Sequence, residues 1–137
     1  MDSNLYKIMN ERFRRDTQIV LSTREGIQRW ARTVDAYYED GVFYIITHAR
    51  SGKIQQIKKN PEVKVCSDGL NVNGIGENLG FVTEEKNHTI AQKLHEVFSV
   101  WYNDENDPNN CVLAIRLTTG FLFEGGVKYE LNFTQEG

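Results

Sequence analysis

Val42-Phe43-Tyr44-Ile45-Ile46-Thr47 lies between the turn signal Glu39-Asp40-Gly41 and the polar stretch His48-Ala49-Arg50. It is built from β-branched and aromatic residues, which pack well on a pleated surface, so it predicts a strand. Ser51-Gly52-Lys53 follows, with Ile54 and Ile57 spaced for one face of a short helix. Ser51 can cap that helix through its hydroxyl. Asn60-Pro61 stops it, because proline pushes the residue before it out of helical geometry. Val63-Lys64-Val65-Cys66 then alternates as the next strand.

Reading outward, residues 4 to 15 place Leu5, Ile8, Met9 and Phe13 on one helical face. Thr17 to Thr23 predicts a strand, Arg24-Glu25-Gly26 a turn, and Ile27 to Ala36 a second strand completing a hairpin. Asp68-Gly69 turns the chain into Leu70 to Gly76, a strand broken by glycine. A helix is predicted from Glu84 to Tyr102, capped by Thr83, with Ile90, Ala91, Leu94, Val97, Phe98 and Trp101 as its apolar stripe. Cys111 to Leu117, Gly120 to Phe123 and Val127 to Phe133 are the last strands, with Glu124-Gly125-Gly126 as a turn. Parallel strand pairs need long crossovers, whereas these strands are joined mostly by short turns. The expected fold is mainly β: an antiparallel barrel with flanking helices, formed by residues 1–137 as one domain.

The chain has 137 residues, enough to bury one core without disulfides or a metal. Its 16 Lys and Arg against 19 Asp and Glu give a formal charge of -3, which argues against a nucleic-acid partner. No apolar run reaches the length of a membrane span. Met1-Asp2-Ser3-Asn4 has an acid and no apolar run, so no signal peptide is expected. Cys66 and Cys111 sit in apolar strand-like runs without CxxC spacing and read as reduced core thiols. A cytoplasmic location is the expectation from these features together.

The chemistry-bearing stretch is Trp30 to Pro61. A phosphate monoester needs several donors and positive charge at one place. A helix start supplies free N–H groups and the positive end of its dipole. Arg32 can grip two phosphate oxygens in a fork, and Lys53 adds a point charge. Thr47 and Ser51 can add hydroxyl donors, and Gly52 lets backbone come close to a ligand. The same residues also read as a capped surface helix with a solvated Lys53 and an edge-strand Arg32. Residue types alone leave both readings open, since the stretch is neither a P-loop nor a dinucleotide fingerprint.

The order Arg32-Thr33-Val34, turn, Val42 to Thr47, Ser51-Gly52-Lys53, Asn60-Pro61-Glu62-Val63 resembles the pyridoxamine 5'-phosphate oxidase-like, FMN-binding split-barrel family. The resemblance runs from about residue 13 to 133. It implies a split barrel of antiparallel Greek-key type and an FMN cofactor. Arg32 and Lys53 would hold the FMN phosphate, with Ser51 and Gly52 at the helix start. Thr33 and Val34 would present backbone to the flavin edge, Ile46 and Thr47 would line the ribityl chain and phosphate, and Ser51 would donate to the phosphate. Phe123 would stand near the flavin, and Asn71 and Asn73 are weaker candidates to reach it. The resemblance further implies a homodimer with flavin at the interface, and a flavin-dependent oxidoreductase taking electrons from a nicotinamide or another small molecule. Catalytic residues are not implied. Gly52 stands where the family oxidase often has Arg, and the chain ends at Gly137 without that enzyme's C-terminal extension. A substrate other than pyridoxamine phosphate is therefore expected. The alternatives are a non-enzymatic flavin protein for relay, storage or redox sensing, and a barrel for another ligand such as a deazaflavin or haem.

Other residues carry plainer readings. His48 could offer a proton beside a flavin, but also suits an ordinary loop. His88 and His95 are too far apart along a helix for a metal pair. Trp30 shares a strand face with Arg32 and reads first as packing. Asp104-Glu105-Asn106-Asp107 lacks the glycine and glutamate that complete a calcium loop.

Overall fold

The structure is a computed structural model, and residues 1–98 and 107–134 are described. Its elements are α1 (Ser3–Phe13), β1 (Thr17–Glu25), β2 (Gln28–Glu39), β3 (Val42–His48), α2 (Gly52–Lys59), β4 (Glu62–Ser67) and β5 (Leu70–Phe81). A 3-10 turn (Glu85–Asn87), α3 (His88–Val97), β6 (Asn110–Glu124) and β7 (Val127–Asn132) complete the chain. Two-residue turns explain why so many strands are hairpins. At Asp40-Gly41 and Asp68-Gly69 both residues have positive φ, 49° and 83°, 38° and 84°. That geometry matches the right-handed twist of the strands it joins, and Asp-Gly tolerates it best.

The sheet order is β3-β2-β1-β4-β5-β6-β7, and a further β3–β6 pairing closes β1 to β6 into a barrel with β7 outside. All pairings are antiparallel. The closure is uneven. β2 and β3 pair only from Tyr37↔Tyr44 to Glu39↔Val42, although both strands continue. Beyond that point β3 follows β6 as far as His48↔Asn110, and β2 follows β1 as far as Glu25↔Gln28. The barrel is therefore split between β2 and β3, and the candidate site lies at that opening.

β6 departs from the two strands expected there. It runs unbroken through Thr118-Thr119, because its partner on one side changes at that point. Residues up to Arg116 pair with β3, and residues from Thr119 pair with β7. Gly120 makes the passage possible: a Cβ there would lie 2.3 Å from the Asn71 carbonyl oxygen and 2.5 Å from Val72 Cα. β5 likewise runs past Gly76 to Phe81, with register shifts between Val72 and Gly74 and between Asn78 and Gly80.

The barrel interior holds Ile19, Leu21, Tyr38, Phe43, Val65, Val72, Leu113 and Ile115, joined by Leu5, Met9 and Phe13 of α1. α2 adds Ile54 and Ile57 to this core. A second cluster lies under α3, where Ala91, Leu94 and Phe98 meet Tyr37, Ile46 and Val112. The helix expected from Glu84 starts later. Asn87 is buried and donates to the Leu79 and Phe81 carbonyls at 3.0 Å each, which ties a 3-10 turn to the end of β5. Thr83 is not the cap; the cap positions are Glu84 for the 3-10 turn and Asn87 for α3, and the Glu84 carboxylate turns back to accept from the Phe81 N–H of β5 at 2.6 Å. Trp101, Tyr102 and most of the Asp104–Asp107 acidic run lie outside the described residues. Among the described residues no helix is long and apolar enough to cross a membrane. Both cysteines are free thiols. Cys111 is buried as expected, but Cys66 is only half-buried, beside Val20 and Asn71 on its neighbouring strands.

Candidate functional site

Arg32 lies opposite Leu21 in the β1–β2 hairpin. Its guanidinium is held by two neutral groups. Nη1 donates to Thr23 Oγ1 at 2.8 Å, and Nη2 donates to Gln56 Oε1 at 2.7 Å. The Thr23 hydroxyl in turn donates to Gln56 Oε1 at 2.5 Å, closing a triangle between β1, β2 and α2. Thr23 is only 2% exposed, so the seat is rooted in the core.

Lys53 leaves the first turn of α2 and lines a pocket of about 230 Å³ at the split. Thr33, Val34, Ile46, Gln18, Asp35 and Ile45 complete its walls, so β2 and β3 contribute from either side of the gap. Thr33 is exposed, Val34 half-buried, and Ile46 buried against the α3 cluster. At the foot of α2 the Thr47 hydroxyl donates to Ser51 Oγ at 3.1 Å. Ser51 caps the helix, its Oγ accepting from the Ile54 N–H at 3.4 Å. α2 is a two-turn helix whose first-turn N–H groups, apart from the capped one of Ile54, keep the partial positive charge expected at such an end.

Arg32 is not on that pocket wall, but its charge bears on Lys53. The Lys53 pKa is lowered, first by burial and then by the charge of Arg32. The Arg32 pKa is lowered by burial. None of the ion pairs found among the described residues involves either group. Two partly desolvated positive charges are thus left without a bonded carboxylate; burial disfavours both, and the Arg32 charge further disfavours that of Lys53 unless an anion joins them. The one acidic group on the pocket wall is Asp35.

The remaining expected residues are placed as follows. Gly52 is exposed, and a Cβ there would meet only Gln56 Nε2 at an ordinary 3.5 Å, so no steric demand fixes glycine. Phe123 lies near the end of β6, its ring edge-on to Phe121 at 5.6 Å and its carbonyl accepting from Arg12. It does not line the pocket at the split within one chain. His48 is exposed, and its Nδ1 accepts from the Arg50 N–H at 3.1 Å, the ordinary loop role. Trp30 stands beside Arg29 in a larger cleft of about 690 Å³ against β4 and β5, where Asn73 also lies. Sequence reading missed Thr23 and Gln56. Both are common polar residues outside any motif: Thr23 lies on the adjoining strand of the same hairpin as Arg32, and Gln56 reaches it only from α2.

No family model and no curated protein matches the chain. Solved structures do. A pyridoxamine 5'-phosphate oxidase-like protein from Listeria innocua superposes with a TM-score of 0.64 at 19% identity, over 94% of this chain and 96% of that one. An FAD-binding protein from Mesorhizobium loti gives 0.61 at 15% identity, over 85% and 90%. A heme-binding protein from Mycobacterium smegmatis gives 0.63 at 10% identity, over 86% of this chain and 54% of that one. Strand order, the split between β2 and β3 and these superpositions agree: the chain has the fold of the pyridoxamine 5'-phosphate oxidase-like split barrels.

Proposed function

We propose that the chain binds FMN by its phosphate at the Arg32–Lys53 cluster and works as a flavin-dependent oxidoreductase on a substrate other than pyridoxamine phosphate. What supports this reading is an Arg32 seated on neutral partners, a partly desolvated Lys53 that feels its charge, and a capped helix start at Lys53. The donor set suits a dianionic ester: a guanidinium, an ammonium, the Ser51 hydroxyl, whose proton is left over once it accepts from Thr47, and first-turn N–H groups. Asp35 and the missing cation at Gly52 weaken the site, so moderate affinity is expected. When bound, FMN would supply hydride and single-electron transfer, while the protein supplies binding, orientation and electrostatics.

The pocket of about 230 Å³ is smaller than the roughly 300–1,000 Å³ usual for such ligands. Its wall carries Lys53 with Thr33, Val34 and Ile46, so in this reading it takes the ribityl stretch next to the phosphate, and the ring system would extend along the β2 edge that β3 leaves unpaired. A second copy of the chain covering that edge would complete the site, which supports a homodimer. Two further readings have specific support. An electron relay or sensor would use the same phosphate site without a bound substrate. Haem is favoured by the likeness to a heme-binding protein but makes no use of a phosphate cradle.

Purified protein should be yellow and release FMN on heating. Anaerobic bleaching by a reduced nicotinamide supports the enzyme, and reduction only by other proteins supports the relay. A colourless protein that ignores added FMN defeats the proposal, and a Soret band on adding haem favours that ligand instead.

A further inference from the structure

Gln56 is placed to do more than support a helix. The orientation of its amide follows from chemistry: arginine has only donors, so the atom 2.7 Å from Arg32 Nη2 must be the oxygen. That oxygen takes two hydrogen bonds, from Arg32 and from the Thr23 hydroxyl. The amide nitrogen is thereby turned toward the first turn of α2, where it approaches the position a Gly52 Cβ would occupy. A carboxylate in place of the amide would cancel the Arg32 charge and present a second acceptor where the amide presents a donor.

We infer that Gln56 is the positioning residue that sets the site's preference for an anion. Its oxygen holds the Arg32 guanidinium with a neutral partner, so the positive charge stays available. Its N–H adds a donor at the helix start. Thr23 is the fixed base of this seat, buried and bonded to both partners. The assignment rests on the flavin reading above for its natural ligand, but the seat is a property of these three side chains.

The test compares the full chain with its Gln56→Glu and Thr23→Val variants. FMN and riboflavin, which lacks the phosphate, are titrated by flavin fluorescence, and inorganic phosphate by calorimetry. Gln56→Glu should lose about tenfold or more in FMN affinity, the scale of one charge-assisted contact, with riboflavin binding and melting temperature maintained. Thr23→Val, which leaves the Arg32 Nη1 without its acceptor, should lower the FMN-to-riboflavin ratio by roughly threefold. A folded Gln56→Glu protein with an unchanged ratio overturns the inference, as does equal loss of both flavins, the mark of a merely structural role. If Gln56→Glu does not fold, Thr23→Val decides by the same ratio. If the unsubstituted chain takes neither flavin, the flavin reading falls and phosphate decides alone. Phosphate binding weakened by Gln56→Glu sustains the seat, and phosphate binding absent or unaffected removes it.

Discussion

Arg12 and Arg32 are the same residue in two different electrical settings. Arg12 of α1 donates through Nη1 to Glu124 Oε2 at 3.1 Å and lies 3.4 Å from Asp68 Oδ2. It also donates to the Phe123 and Asp68 carbonyls, so it staples α1 to two hairpin turns. Arg32 bonds only to an alcohol and an amide among the groups described. Arg14 makes the contrast sharper. Its pKa is raised by a hydrogen bond to the Tyr37 hydroxyl and by the charge of Glu39, while that of Arg32 is lowered by burial. A cation tied to carboxylates is satisfied by the fold itself. A half-buried cation on neutral partners, its charge felt at Lys53, leaves charge over, and charge left over at a cost is a better sign of a ligand site than the residue type.

This contrast can be broken by substitution. The largest effect should come from Arg32→Ala with Lys53→Ala, which removes two charge-assisted contacts of roughly 1.5–3 kcal/mol each. FMN affinity, read by fluorescence titration, should fall by about two orders of magnitude or more, while the melting temperature holds. Unchanged affinity would remove the phosphate site. Arg12→Ala should do the reverse, lowering stability in urea unfolding by about 1–2 kcal/mol while FMN affinity stays put. A loss of flavin without a loss of stability would erase the distinction between the two arginines.

A smaller gain is expected from Gly52→Arg. The site has room for the side chain and lacks a third cation, so FMN should bind several-fold tighter, a change of about 1 kcal/mol. Weaker binding would place the phosphate elsewhere.

The smallest effect is on pH. Lys53 is depressed below its ordinary value of 10.5, so the unfolded chain holds that proton more tightly than the folded one. Its charge therefore costs stability below the folded pKa, and this cost fades as pH rises through that value toward 10.5. FMN binding has the opposite trend, being flat between the second ionisation of its phosphate, at about pH 6, and the folded Lys53 pKa, and weakening above that pKa as the ammonium is lost. Lys53→Arg should move this alkaline limb upward, and riboflavin should show no Lys53-dependent limb. A limb that survives Lys53→Arg unmoved would show that another group controls binding.

Much of this was legible in the chain itself because it depends on neighbours in sequence. Asp-Gly pairs made the hairpins, Ser51 capped α2 and Asn60-Pro61 ended it, and Val42 to Thr47 formed β3. Each needs only a few consecutive residues to satisfy backbone geometry. Long-range register decided the rest. β6 stayed whole because its partner changes from β3 to β7, which no local break at Thr118-Thr119 can reveal. Lys53 and Arg32 carried their charges in the sequence, but the pocket wall that Lys53 joins depended on where β2 and β3 part. Gln56 acquired its role only when α2 docked on β1 and brought its amide to Thr23 and Arg32. Packing across strands chooses such partners, and a single sequence records the residue without recording what it will touch.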